Sequence, residues 1–383
     1  MRLVVDGVFF QLNNTGIARV WETVLQLLVA RPEWEIFLLD RGGAPRIEGI
    51  TNVPFPAYKA GDVAADSLLI QKVCDHLKAE AFTSTYYTTP LSVPMVLMVH
   101  DMIPERFDFD MSLRGWLEKE TSIAYAQRYL CVSESTRRDL LHFYPEIPPA
   151  HTQVGYCGVD TTIFAERPAD EVATFRKVHG LDRPYFLFVG SRVQHKSYKN
   201  SDLFFEALAQ MEGVDFDVFC VGGEPEIERS VLDRLPEGVR ARRVVLSDYD
   251  LSLAYAGAVA LVYPSLYEGF GMPVIEAMAS GCPVITTRRG SLAEAAGDAA
   301  LFVEGTSVPE MVQALTRVQD PILQADLRAR GLAHAARFRW EPMADLLAEQ
   351  IETVIAVGKT PEAQEFFGEW MRLRNIQADV DYL

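Results

Sequence analysis

The chain has 383 residues, 49% of them hydrophobic and 23% charged, with a formal net charge of −17. Such a composition supplies apolar material for two or three domain cores and excludes an extended disordered protein. An acidic excess of this size excludes a nucleic-acid binder, whose phosphates need a basic face, and leaves at most peripheral contact with an anionic membrane.

Residues 2–6 read as a first strand that ends on an acid, Asp6. The start lacks the apolar core of a secretion signal, and no apolar run reaches the roughly 18 residues of a membrane span. A cytoplasmic protein is expected, touching at most the inner face of the cytoplasmic membrane. Gly16 is a loop glycine ahead of a helical pattern from Ile17, with Arg19 in its first turn. Strands are expected at 35–39, 81–84, 94–99 and 128–132, with helical stretches between them, so a doubly wound parallel sheet follows over a first domain of residues 1–165. His100 and Asp101 come directly after the strand 94–99, a place that fits either a structural histidine or a ligand contact. Ser133 to Arg137 is a helix N-cap pattern.

The alternation resumes after a loop at 157–168. Strands at 185–190, 215–222, 244–246 and 258–263 predict a second α/β sheet of the same kind over residues 166–340, and ligands of such sheets bind at the carboxyl ends of the strands. Leaving the first of these strands beside Gly190, residues 189–200 collect Arg192, Lys196 and Lys199. The cluster suits a pyrophosphate and equally suits a solvated loop. Next, residues 263–285 pass from a buried strand through Gly269 and Gly271 into a helix that Pro273 starts and Gly281 stops. That helix start offers free N–H groups and a positive dipole end to phosphate oxygens. Glu268 and Glu276, with seven residues between them, suit neutral hydroxyls such as those of a sugar and a ribose. Five scattered cysteines without a Cys-x-x-Cys pair read as buried thiols. Residues 341–358 carry helical periodicity, and the apolar stripe from Phe366 lacks the basic face of a membrane-surface helix, so it is expected to dock on the first domain.

The run from Ser265 to Ile285, continued from Gly290 to Val303, resembles the Glu-x7-Glu signature of family 4 glycosyltransferases. These are retaining, nucleotide-sugar-dependent enzymes of the GT-B fold. The resemblance implies two Rossmann-like domains facing a central cleft, with the donor held mainly by the second and the last helices, here 341–383, crossing back to the first. It implies a catalytic set of His100, Arg192, Lys199 and Glu268, with His100 near the transferred sugar. The donor-binding set it implies is Gly16, Lys196, Gly269, Phe270, Gly271, Met272, Val274 and Glu276, with Glu294 as a further contact. The loop carrying Arg192 and Lys199-Asn200 is about two residues longer than the family pattern, so Lys196 competes with Lys199 for the phosphate.

The residues show no Asp-x-Asp in a suitable loop, since Asp108/Asp110 and Asp215/Asp217 lie elsewhere, and no His/Cys cluster. Metal-independent transfer without a cofactor beyond the nucleotide sugar is therefore expected. Retention is expected to proceed by front-face attack, with the leaving phosphate taking the acceptor's proton. Residues 86–91, 100–105 and 132–137 resemble bacterial mannosyltransferases of O-antigen and exopolysaccharide assembly, which implies GDP-mannose over a UDP-sugar and a glycan or lipid-linked glycan acceptor. The alternatives are a UDP-glucose enzyme with another acceptor and a catalytically silent scaffold that binds a sugar nucleotide. A Rossmann-type oxidoreductase lacks its Gly-x-Gly-x-x-Gly here.

Overall fold

The computed structural model describes residues 1–12, 16–59, 63–192 and 198–381. They form two compact units: Met1–Cys157 with Trp340–Leu383, and Gly158–Arg339.

In unit 1, β1 (Arg2–Asp6), β2 (Glu35–Asp40), β3 (Ile50–Pro54) and β4 (Ala81–Ser84) lie in the order β3-β2-β1-β4. The strands β5 (Val96–Val99), β6 (Arg128–Cys131) and β7 (Thr152–Val154) follow in chain order, and every pairing is parallel. A parallel bridge between Phe82 and Met95 links the two sheets. Apolar runs such as Leu3, Val4 and Val5, all fully buried, are what a parallel sheet covered on both faces demands. The strand β3 is half exposed at the sheet edge and ends on Pro54, a residue that only an edge tolerates.

In unit 2, the strands are β8 (Tyr185–Val189), β9 (Asp217–Val221), β10 (Ala241–Val244), β11 (Ala260–Tyr263), β12 (Val284–Thr286) and β13 (Leu301–Phe302). Their order is β10-β9-β8-β11-β12-β13, all parallel. The chain builds outward from β8 to β10, then returns to the other side of β8. That reversal opens a crevice at the carboxyl ends of β8 and β11. The strand expected at 244–246 is placed three residues earlier, because Val245 has already left the sheet and is 72% exposed. Phenylalanines 186, 188, 204, 205 and 216 fill the core beneath the sheet, each buried side chain contributing roughly 1.5–3 kcal/mol.

The helices Trp340–Val357 and Pro361–Asp381 belong to unit 1. Phe366, Phe367 and Trp370 surround the fully buried Tyr125, with ring centroids 5.9, 5.9 and 5.3 Å away. All five cysteines are buried and free. Among the described residues no helix is long and apolar enough to cross a membrane.

Candidate active site

At the end of β11 the chain turns through Pro264 and Ser265 into the glycine loop. Gly271 holds φ +99°, and a Cβ there would meet Leu292 Cδ2 at 2.9 Å. The positive φ demands glycine, and a side chain there would also displace Leu292. The Ser291 hydroxyl lies 2.8 Å from the carbonyls of Glu268 and Phe270, and the Thr287 hydroxyl donates to the Ser265 carbonyl at 2.6 Å. The loop is thus pinned from below before the helix Met272–Ala279 begins.

Lys199 meets this loop from β8's side of the crevice. Its Nζ donates to both carboxylate oxygens of Glu268, at 2.8 and 3.0 Å, and to the Tyr263 hydroxyl at 2.8 Å. Burial, reinforced by the Glu268 carboxylate, pushes the Tyr263 hydroxyl's pKa well up, so it stays protonated. Lys199 is set in place by its neighbour Asn200, which adopts φ +53° and donates to the carbonyls of Pro264 and Gly305 at 3.0 and 2.8 Å. The result is a half-buried ammonium and a buried carboxylate beside a helix N-terminus, which is cationic and donor-rich on one side and acceptor-rich on the other.

The other candidates of unit 2 are placed differently from one another. Glu276 lies in the second turn of its helix, 4% exposed and with Oε2 3.4 Å from the Tyr255 hydroxyl. Met272 is half-buried at the helix start, and Phe270 points inward, its ring 5.5 Å from that of Phe338. Val274 is fully buried and its amide already donates to the Gly271 carbonyl at 2.9 Å, so neither its side chain nor its N–H is offered to a donor. Arg192 is also fully buried: its guanidinium donates to the carbonyls of Gly222, Glu224 and Glu226 at 3.1, 2.8 and 3.2 Å. Its expected place on a leaving diphosphate is not the one it holds here, because those carbonyls take its two terminal nitrogens and its Nε is buried. Lys196 lies outside the described residues. Glu294 is half-buried on the short helix Leu292–Ala296.

In unit 1, His100 follows β5. Its Nε2 is buried without a hydrogen-bond partner, and burial pushes the imidazole pKa down to about 4, against the pull of Asp101 and with the help of Lys119. The ring is therefore neutral at physiological pH. Lys119 also donates to the Asp101 carbonyl at 3.1 Å and to Glu105 at 2.8 Å, which fixes the turn after His100. Gly16 is exposed at the start of the helix Gly16–Leu28. Sequence reasoning missed a buried network at the end of β1: Arg41 donates to Asp6 at 2.7 Å from two nitrogens and to Asp66 at 2.7 and 3.1 Å. The one visible signal was an acid closing an apolar strand. Among the described residues no three of His, Cys, Asp and Glu converge as a metal-binding group.

Two family models match the chain, one described as Glycosyltransferase Family 4 over residues 15–163 and one as Glycosyl transferases group 1 over residues 183–320. O-antigen chain mannosyltransferase B of Escherichia coli is 30% identical over 228 residues, which span 57% of this chain and 59% of that protein. The solved structure of WaaG, a glycosyltransferase involved in lipopolysaccharide biosynthesis, matches with a TM-score of 0.73 at 17% identity, covering 92% of this chain and 99% of WaaG. Anabaena HepE, solved in complex with UDP and glucose, matches with a TM-score of 0.71 at 16% identity, covering 92% of this chain and all of HepE. These two structures share the GT-B fold with the chain.

Proposed function

Because the chain belongs to glycosyltransferase family 4, we propose that it transfers a hexose, mannose in first place, from a nucleotide sugar to a glycan or lipid-linked glycan in cell-surface polysaccharide synthesis. The observation that carries this reading is the Lys199–Glu268 pair beside the Gly269–Gly271 loop, at the crevice between β8 and β11. The mannosyl activity named for the Escherichia coli relative supports mannose.

Charge complementarity assigns the parts. The donor's diphosphate takes Lys199 and the start of the helix Met272–Ala279, where positive charge is already organised. Glu268, its carboxylate gripped by Lys199, accepts from sugar hydroxyls and Glu276 from the ribose, so neither serves as a nucleophile. The bond from the anomeric carbon to the leaving phosphate breaks while the acceptor oxygen bonds on the same face. The acceptor's proton passes to a phosphate oxygen, and the anomeric configuration is retained. Lys199 and the helix dipole stabilise the departing charge without a metal ion. We place the reaction in the cytoplasm, with at most peripheral contact with the inner face of the membrane.

A thermal-shift panel of GDP- and UDP-sugars names the donor, GDP-mannose being expected to raise the melting temperature most. NMR of the product's anomeric centre is expected to show retention. An inverted product, or no response to any nucleotide sugar, overturns the reading.

A further inference from the structure

The loops after β8 and β9 are held together by two side chains that each grip the other's main chain. Arg192 reaches from the first loop to the carbonyls of residues 222, 224 and 226 in the second. Glu224 reaches back, its Oε2 accepting from the Arg192 amide at 2.7 Å and its Oε1 accepting from the Ser191 hydroxyl. The two side chains also lie 3.8 Å apart as an ion pair. Nothing larger than glycine fits between the loops: a Cβ on Gly223, at φ +66°, would stand 2.3 Å from the Gly190 carbonyl oxygen and 3.0 Å from Arg192 Nη1. Arg243 on β10 ties the second loop down again through the carbonyls of Gly222 and Gly223, at 3.3 and 3.0 Å.

The Ser201 hydroxyl, two residues after Lys199, donates to the Arg192 carbonyl at 3.2 Å. From this reciprocity we infer that Glu224 is a positioning residue for the donor site: with Arg192 it forms a clasp that fixes the main chain on which the turn carrying Lys199 and Asn200 rests. The inference rests on the donor reading given above, and it gives Arg192 a different part in that reading. A lysine without the clasp still carries its charge. Asn200 still holds it from one side, but Ser201 loses its fixed acceptor at the Arg192 carbonyl, and charge-assisted contacts weaken steeply with misplacement. Glu224 serves because a carboxylate accepts from the amide and the hydroxyl at once. Arginine serves because its planar fork spans three carbonyls, which a lysine cannot.

The test compares Glu224→Ala with Glu224→Gln, whose amide oxygen still accepts the Arg192 N–H. In the donor-free protein, hydrogen exchange at the Arg192 amide is expected to speed up at least about tenfold in Glu224→Ala and to stay near wild type in Glu224→Gln. With donor, Glu224→Ala is expected to raise KM about tenfold while kcat moves less than about threefold, and Glu224→Gln to recover most of that loss. Unchanged exchange in Glu224→Ala overturns the clasp. Faster exchange with an unchanged donor KM overturns its part in donor positioning. Failure of the transferase reading shows separately, as a wild-type protein that turns over no nucleotide sugar, and the exchange measurement then decides the clasp alone.

Discussion

Lys199 has a partner to lose and a ligand to gain. Lys199→Ala is expected to cut turnover more than about a hundredfold, the scale of removing one preorganised charge donor from a transition state. It also leaves Glu268, 7% exposed, without its cation, so stability should fall by about 1–3 kcal/mol. Adding Glu268→Gln should recover the stability and none of the turnover; steady-state rates and chemical denaturation check both, and near-normal turnover in the single variant sinks the assignment. His100 makes a pH prediction. Its folded pKa of about 4 lies below the ordinary 6.5, so the unfolded chain binds a proton there first. Stability from this group is full above pH 6.5 and is lost as pH falls towards 4. An NMR titration should find the His100 ring unprotonated down to about pH 5, and a midpoint near 6.5 would refute the buried, neutral imidazole. The two glutamates were legible as a pair because their setting is local, a contiguous loop and helix with its own glycines, whereas Lys199 reaches Glu268 from 69 residues earlier. Arg192 was legible as a cation and not as a clasp, since the carbonyls that take its donors lie about thirty residues further on and only the β8–β9 pairing brings them together. Asp6, Arg41 and Asp66 escaped for the same reason.

The strand-loop-helix from β11 to Ala279 is the element on which the site stands. Gly271→Ala forces a side chain into both the positive φ and the 2.9 Å contact with Leu292, a cost of about 1–3 kcal/mol. The helix start then shifts, and donor affinity, read by calorimetric titration with the preferred nucleotide sugar, should fall more than the melting temperature does. Affinity equal to wild type would detach the helix start from the donor. This element could be read from residues 263–281 because Pro264, Pro273 and the glycines punctuate it. The strands β3, β7, β12 and β13 could not. The strands β7, β12 and β13 are three, three and two residues long, too short for a periodicity to show, and β3 is a half-exposed edge strand without an apolar run; the existence of each depends on the neighbour it pairs with.

At the scale of the molecule, unit 1 is closed by a helix that arrives last in the chain. Phe367 and Ala363, 2% and 9% exposed, pack into its core with Tyr125. A chain stopped after Thr360 should therefore lose several kcal/mol from unit 1, at roughly 1.5–3 kcal/mol for each large apolar side chain uncovered, and nothing from unit 2. Calorimetry should show one transition lowered and the other in place; an unaltered profile would mean that the helix is an ornament. The alternating pattern made both α/β units legible, though not the division of unit 1 into a four-stranded and a three-stranded sheet, and the apolar stripe from Phe366 suggested a docking helix. The residue that receives it, Tyr125, gave no sign, being one aromatic among many until folding hollows out its surroundings. The two-part composition of unit 1 also sets an order of events on the ribosome. Residues 158–339 form a continuous stretch and can finish folding while the earlier stretch still waits for its closing helices. At 5–20 residues per second the wait is roughly 10–40 s, during which the apolar surroundings of Tyr125 stay without the side chains that later cover them.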